Sequence, residues 1–161
     1  MSAVLAPSLA AIDELGHALD KARHEARLNG LRFAGSLPPI TAWGLVQTGA
    51  AQLVDVRSAE EFRFVGHVPG AINVPWATGI SLTPNPRFVR ELETKLNKRD
   101  APVLLLCRSG KRSALAAEAA TRGGLPQVFN VLEGFEGEID AYSQRGHGDG
   151  WRFNGLPWMQ D

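Results

Sequence analysis

Apolar residues recur at intervals of three and four near the start of the chain, which is the spacing of one face of an α-helix. These positions are Leu9, Ile12, Leu15, Leu19, Ala22 and Ala26. Charged residues occupy the opposite face: Asp13, Asp20, Lys21, Arg23, Glu25 and Arg27. The pattern predicts an amphipathic helix over residues 9–28. We expect this helix to pack on its own domain or to form a homodimer with a second copy of the chain; a recruitment helix for a partner protein is the alternative.

Short apolar runs alternate with helical patterns along the rest of the chain. Strands are predicted over residues 52–56, 71–74, 103–106 and 128–132. Helices are predicted from Thr41 through Val46, from Asn85-Pro86 to about Asn97, over 113–121 and over 134–143. A helical turn is also predicted to begin at Ser58, the first residue of a capping box. Residues 30–39 should form a connection, and residues 146–161 an irregular tail. We therefore expect an α/β fold around a largely parallel sheet, divided into an N-terminal helical extension (1–37) and one domain (38–161).

Composition narrows the class of protein. Apolar residues make up 44% of the 161 residues and charged residues 21%, as in a soluble globular domain. Seventeen basic residues balance seventeen acidic ones, so we expect neither nucleic acid nor a membrane as partner. One cysteine excludes an internal disulfide, and four scattered histidines argue against a metal site. The N-terminal segment does not resemble a signal peptide, so a cytoplasmic location is expected.

The single cysteine, Cys107, directly follows the most hydrophobic predicted strand. Ligands of α/β proteins bind beyond the carboxyl ends of strands, and the N-terminus of the next helix favours anions there. Residues of the intervening loop add positive charge, hydroxyl groups and a flexible turn: Arg108, Lys111 and Arg112; Ser109 and Ser113; Gly110. These features favour a thiolate over a thiol and predict an anion-binding cradle around it. The alternative is a small core residue at a strand end.

Four motifs resemble the rhodanese family of sulfurtransferases. They are CRSGKR at 107–112, LVDVR at 53–57 with GHVPGAINVP at 66–75, LEGF at 132–135, and NGLP at 154–157. The resemblance covers about residues 38–158. It implies a five-stranded, mostly parallel sheet flanked by helices, and a reaction without cofactor in which a cysteine persulfide carries sulfur from a thiosulfate-like donor to cyanide, a thiol or a protein acceptor.

The resemblance also implies roles for individual residues. Cys107 would be the nucleophile, the N–H groups of residues 108–113 would form the cradle, and Lys111 and Arg112 would orient the anionic donor. Trp76 would either wall the pocket or pack in the core. A structural role is expected for the remaining motif residues: Asp55, Arg57 (paired with Glu60 or Glu61), Glu61 and His67.

Two other functions are compatible with these motifs. The cell-division-cycle phosphatases and arsenate reductases that resemble rhodaneses have a longer loop, with arginine six residues after the cysteine. Here Ser113 occupies that position and Arg112 comes one residue earlier, which argues against phosphate as substrate. A sulfur-carrier or docking module is the second alternative. Because the chain has no second cysteine, sulfur must leave to an external acceptor.

Overall fold

The computed structural model describes residues 8–161, which form helices and strands in alternation. The helices are α1 (Leu9–Leu28), α2 (Pro39–Gln47), α3 (Phe88–Lys95) and α4 (Lys111–Arg122). The strands are β1 (Gly35–Leu37), β2 (Gln52–Asp55), β3 (Ile72–Asn73), β4 (Ala77–Thr78), β5 (Thr83–Pro84), β6 (Val103–Leu106) and β7 (Val128–Val131). A single π-helical turn spans Glu61–Val65.

Five strands form the central sheet in the order β1-β7-β6-β2-β3, and each neighbouring pair is parallel. The predicted α/β fold with a five-stranded parallel sheet is therefore confirmed. Strand β6 lies in the middle, between β7 and β2. Because all five strands run in one direction, the residues that follow β2, β6 and β7 meet at the same edge of the sheet.

The sheet is covered on both faces, so its strands are apolar on both sides. Alternation along β6 assigns Leu104 and Leu106 to the core beneath α1 and α2, and Val103 and Leu105 to the core beneath α3 and α4. Cys107 continues the second set and packs with the core of α3 and α4. The strand thus delivers its terminal side chain to the helix that follows it.

Helix α1 packs against its own domain. Ser8 caps it by accepting a hydrogen bond from Ala11 N–H at 3.1 Å, and the buried face carries Leu19, Ala22 and Ala26. A side chain at Gly35 in β1 would lie 2.7 Å from the Ala22 carbonyl oxygen, so only glycine permits this close approach. Leu9 and Ile12, at the start of α1, are exposed. A homodimer formed through α1 stays a prediction.

Three of the differences from the predicted elements have a local physical cause. Residues 35–37, expected in a connection, form edge strand β1 because their backbone pairs with β7. Helix α2 begins at Pro39 rather than after Thr41, since proline at the first helical position needs no N–H partner. Helix α3 begins at Phe88 because Asn85 instead forms a turn, accepting from Arg87 N–H and donating to Pro75 C=O.

The helix predicted over residues 134–143 is wrong. This segment consists of turns, and Gly134 and Gly137 have φ values of +70° and +86°. Its first N–H groups donate to carbonyls of the loop after β6 rather than to a helical ladder. The irregular tail is confirmed, with Trp151 fully buried. Across residues 8–161 no helix is both long and apolar enough to cross a bilayer.

Candidate active site

Cys107 lies at the carboxyl edge of the sheet, directly after β6, with the ends of β2 and β7 on either side. Its sulfur is surrounded by protein, and the residue is only 1% exposed. Gly110 forms the N-cap of α4 with φ of +98°, a conformation that a glycine adopts at little cost. This turn aims the Gly110 N–H at Cys107 Sγ, 3.1 Å away.

The first turn of α4 contributes further N–H groups at this edge. The helical hydrogen bonds begin with Ala114 N–H donating to Gly110 C=O at 3.3 Å. The N–H groups of residues 111–113 therefore precede the helical ladder and lie at the positive end of the helix dipole. This is the anion-binding arrangement expected for the predicted cradle.

A buried pair of polar side chains completes the surroundings of the sulfur. Ser113 Oγ lies 3.2 Å from Cys107 Sγ and 2.5 Å from Asn130 Oδ1. Asn130 Nδ2 donates to Gly110 C=O at 3.2 Å. Asn130 is not among the residues predicted from the sequence; the available signal was a lone amide inside the otherwise apolar strand β7.

Arg112 is held by Glu61 rather than directed into open space. Its two Nη atoms donate to the two Glu61 carboxylate oxygens at 2.7 and 2.9 Å. Glu61 also completes the predicted capping box with Ser58, whose Oγ accepts from Glu61 N–H at 3.2 Å. Among the ion pairs of residues 8–161, neither Arg108 nor Lys111 takes part. The positive charges near the cradle without a carboxylate partner are thus Arg108 and Lys111.

The titration of this ion pair follows from its geometry. Burial raises the pKa of Glu61, but the hydrogen bonds and charge of Arg112, the Ser58 N–H and the charge of Arg57 outweigh it, so the pKa lies below the usual 4.5. The hydrogen bond to Glu61 raises the pKa of Arg112, against an opposing effect of burial. Both groups are therefore charged at neutral pH.

Asp55 and Arg57 form a fully buried pair at the end of β2. Arg57 donates to Asp55 through Nε at 3.0 Å and Nη2 at 2.7 Å, and Nη2 also donates to Gly66 C=O at 2.6 Å. The predicted pairing of Arg57 with Glu60 or Glu61 is wrong, because the guanidinium turns inward to Asp55 and packs over the Phe135 ring. Glu61 pairs with Arg112 instead.

His67 and Trp76 lie in the segments before and after β3. His67 is buried, with Nδ1 2.9 Å from Phe62 C=O and its ring stacked on that of Phe62. Trp76 packs edge-on against Phe88 at 5.3 Å, in the same core as Cys107. A pocket-lining role for Trp76 stays a prediction.

The turn after β7 fastens the cysteine loop from the other side. Phe135 N–H donates to Cys107 C=O at 2.7 Å, and the N–H groups of Glu136 and Gly137 donate to Arg108 C=O. A side chain at Gly134 would lie 2.4 Å from the Arg108 carbonyl group, so this glycine is required for the close packing of the two loops. Trp151 N–H donates to Gly134 C=O, which ties the tail to the same turn.

The arrangement combines one thiol, directed N–H groups and unpaired positive charge, so it can bind an anion beside a sulfur nucleophile. Among residues 8–161, no cluster of three or more histidine, cysteine, aspartate or glutamate side chains is placed to hold a metal ion.

Comparison with known proteins agrees with this geometry. The profile of the rhodanese-like domain family matches residues 39–139. A crystal structure of Rv0390 from M. tuberculosis is 46% identical, covers 80% of this chain and 99% of its own, and superposes with a TM-score of 0.71. An uncharacterized protein of Rickettsia prowazekii is 35% identical over 71% of this chain and 88% of its own. A thiosulfate sulfurtransferase from Pseudomonas aeruginosa shares the fold at 21% identity and a TM-score of 0.55, over 78% of this chain and 20% of its own.

Proposed function

The chain belongs to the rhodanese-like domain family, and from this membership and the geometry of its cradle we propose that it is a sulfurtransferase. It would move a sulfane sulfur from a thiosulfate-like donor to a thiophilic acceptor through a persulfide on Cys107. A cytoplasmic setting suits this reaction, because thiols stay reduced there and can act as acceptors.

The proposed reaction has two displacement steps. The Cys107 thiolate attacks the outer sulfur of thiosulfate, a bond forms at Sγ, the sulfur–sulfur bond of the donor breaks, and sulfite leaves with the electron pair. Cyanide or a thiolate then attacks the terminal sulfur of the persulfide. The bond at Sγ breaks, its electron pair returns to Cys107, and thiocyanate or an acceptor persulfide leaves.

One observation carries the proposal: Gly110 N–H and Ser113 Oγ lie 3.1 and 3.2 Å from Cys107 Sγ at the N-terminus of α4. Hydrogen-bond donors aimed at the sulfur stabilise negative charge there in the thiolate, the transition states and the persulfide. Lys111 and Arg108 would attract the dianionic donor. Arg112, whose two Nη atoms donate to Glu61, comes five residues after Cys107 rather than six, and this loop spacing argues against phosphatase activity.

The proposal is tested by intact mass after incubation with thiosulfate. We expect a gain of one sulfur, ~32 Da, that cyanide or a reductant removes and that Cys107→Ser lacks. Phosphoester hydrolysis is assayed in parallel. Phosphatase turnover without a mass gain would contradict the proposal.

A sulfur carrier is the second candidate, supported by the burial of the only cysteine, which has no internal thiol to which it could pass sulfur. Rates distinguish the two. An enzyme with small-molecule acceptors turns over repeatedly with thiosulfate and cyanide, whereas a carrier forms the persulfide and then releases sulfur slowly to cyanide. Failure of every donor to form the adduct would leave a docking module.

A further inference from the structure

The hydroxyl group of Ser113 faces two acceptors with one proton. Its Oγ lies 3.2 Å from Cys107 Sγ and 2.5 Å from Asn130 Oδ1. A serine hydroxyl donates one hydrogen bond, so it can satisfy only one of these atoms at a time. The two acceptors therefore compete for the same proton.

The orientation of the Asn130 amide decides which acceptor receives the proton in the resting thiol. Gly110 C=O only accepts, so Nδ2 of Asn130 faces it at 3.2 Å and Oδ1 faces Ser113. Asn130 is 5% exposed and lies within β7, where an unsatisfied amide oxygen is costly. In the thiol form Ser113 thus donates to Asn130, and the thiol donates to Ser113 Oγ.

Loss of the thiol proton turns Cys107 from a hydrogen-bond donor to Ser113 into an acceptor from it. A thiolate has no proton to donate and accepts hydrogen bonds, so it draws the Ser113 hydroxyl toward Sγ. The rotation leaves Asn130 Oδ1 without a hydrogen-bond donor among residues 8–161. We propose that Asn130 is a positioning residue that competes with Cys107 for the Ser113 proton and thereby restrains ionisation of the empty site.

This inference rests on the proposed function only in taking Cys107 as the reacting group. The restraint acts before any sulfur donor binds. It would keep more of the buried sulfur in the thiol form, which is less prone to oxidation than the thiolate. Asn130 would act through Ser113 and not through contact with the sulfur.

A double-mutant cycle separates this competition from general disturbance of the loop. The variant Asn130→Leu removes the competing acceptor and also the bond to Gly110 C=O. The loss at Gly110 occurs equally in the Ser113→Ala background, where no hydroxyl proton exists. The difference between the two backgrounds therefore measures the competition alone.

The readout is the thiolate-to-thiol ratio at one fixed pH without sulfur donor, from the ultraviolet absorbance of the thiolate with Cys107→Ser as blank. The chain has one cysteine, so the signal is unambiguous. We expect Asn130→Leu to raise the ratio about fivefold more in the Ser113 background than in Ser113→Ala, the equivalent of one neutral hydrogen bond. Equal effects in both backgrounds would overturn the proposal.

One further variant completes the test. Asn85→Leu is the matched control, since Asn85 donates to Pro75 C=O away from Ser113 and its loss should leave the ratio unchanged. The mass gain with thiosulfate is measured separately, so persulfide formation and proton competition can fail independently.

Discussion

The variant Glu61→Gln tests how the cysteine loop is fastened to the turn after β2. The change removes the charge that binds both Nη atoms of Arg112 and leaves one amide oxygen to accept. Exposed ion pairs contribute about 0–1 kcal/mol, and breaking a fully buried pair costs about 3–5 kcal/mol. The Glu61 and Arg112 side chains are 23% and 10% exposed, so an intermediate loss of about 2 kcal/mol is expected after solvent screening. For a domain of this size, that lowers Tm by about 4–8 °C.

Chemical denaturation at several pH values is the assay, with Glu60→Gln as matched control because Glu60 is the exposed neighbour of Glu61. The pKa of Glu61 is lowered in the folded state, so its stabilising contribution is fully present above the unfolded value and disappears as pH falls through the folded value. The gap in unfolding free energy between wild type and Glu61→Gln should therefore be complete at neutral pH and close below about 4.5. A loss no larger than that of Glu60→Gln, or a gap that does not change with pH, would refute this reasoning.

Two further outcomes follow from the same loops. Gly134→Ala should lower the free energy of unfolding by about 3 kcal/mol, because of the left-handed φ and the clash with Arg108. Gly155→Ala is the control and should cost only about 1 kcal/mol, because Gly155 has a φ of +71° but an added Cβ would have nothing within 4 Å. Equal losses in denaturation would contradict the packing argument. Lys111→Gln should raise KM for thiosulfate about fivefold with little change in kcat, since the charge acts on donor binding. Lys98→Gln is its control in steady-state kinetics, because Lys98 contacts Gln52 at the opposite end of β2; a matching rise in KM there would show that the position of the charge does not matter.

The sheet was predictable because its central strands have a distinctive apolar sequence. The run Val103–Leu106 is apolar at every position, and a strand covered on both faces needs that composition. Strand β1 was not predictable, since Gly35 and Ser36 carry no strand preference and pair only because β7 offers its edge. The wrongly predicted helix after Gly134 has a similar cause. Local propensity favoured a helix, but the first N–H groups of this segment donate to carbonyls of the cysteine loop instead.

The residues of the candidate site likewise include some that the sequence could predict and some that it could not. Cys107 and its loop are contiguous, so their motif is visible in the sequence. Asn130 and the partner of Arg112 reach the site across the fold, from β7 and from the turn after β2. Their contributions depend on strand order, which a linear pattern does not contain. Arg57 shows a different limit: Asp55, Glu60 and Glu61 are all near it in sequence, and only burial in the fold selects Asp55 as its partner.

The hydrogen bonds of Gly134 and Phe135 couple the sulfur to the end of the chain. Phe135 N–H holds the Cys107 carbonyl, and Trp151 N–H holds the Gly134 carbonyl. Local opening spreads through such contiguous bonds, so release of the tail would loosen the turn and then the cysteine loop. We expect the lifetime of the proposed Cys107 persulfide to depend on how often the tail opens. Transfer of the persulfide sulfur to unintended thiols would thus depend on residues that do not contact the sulfur.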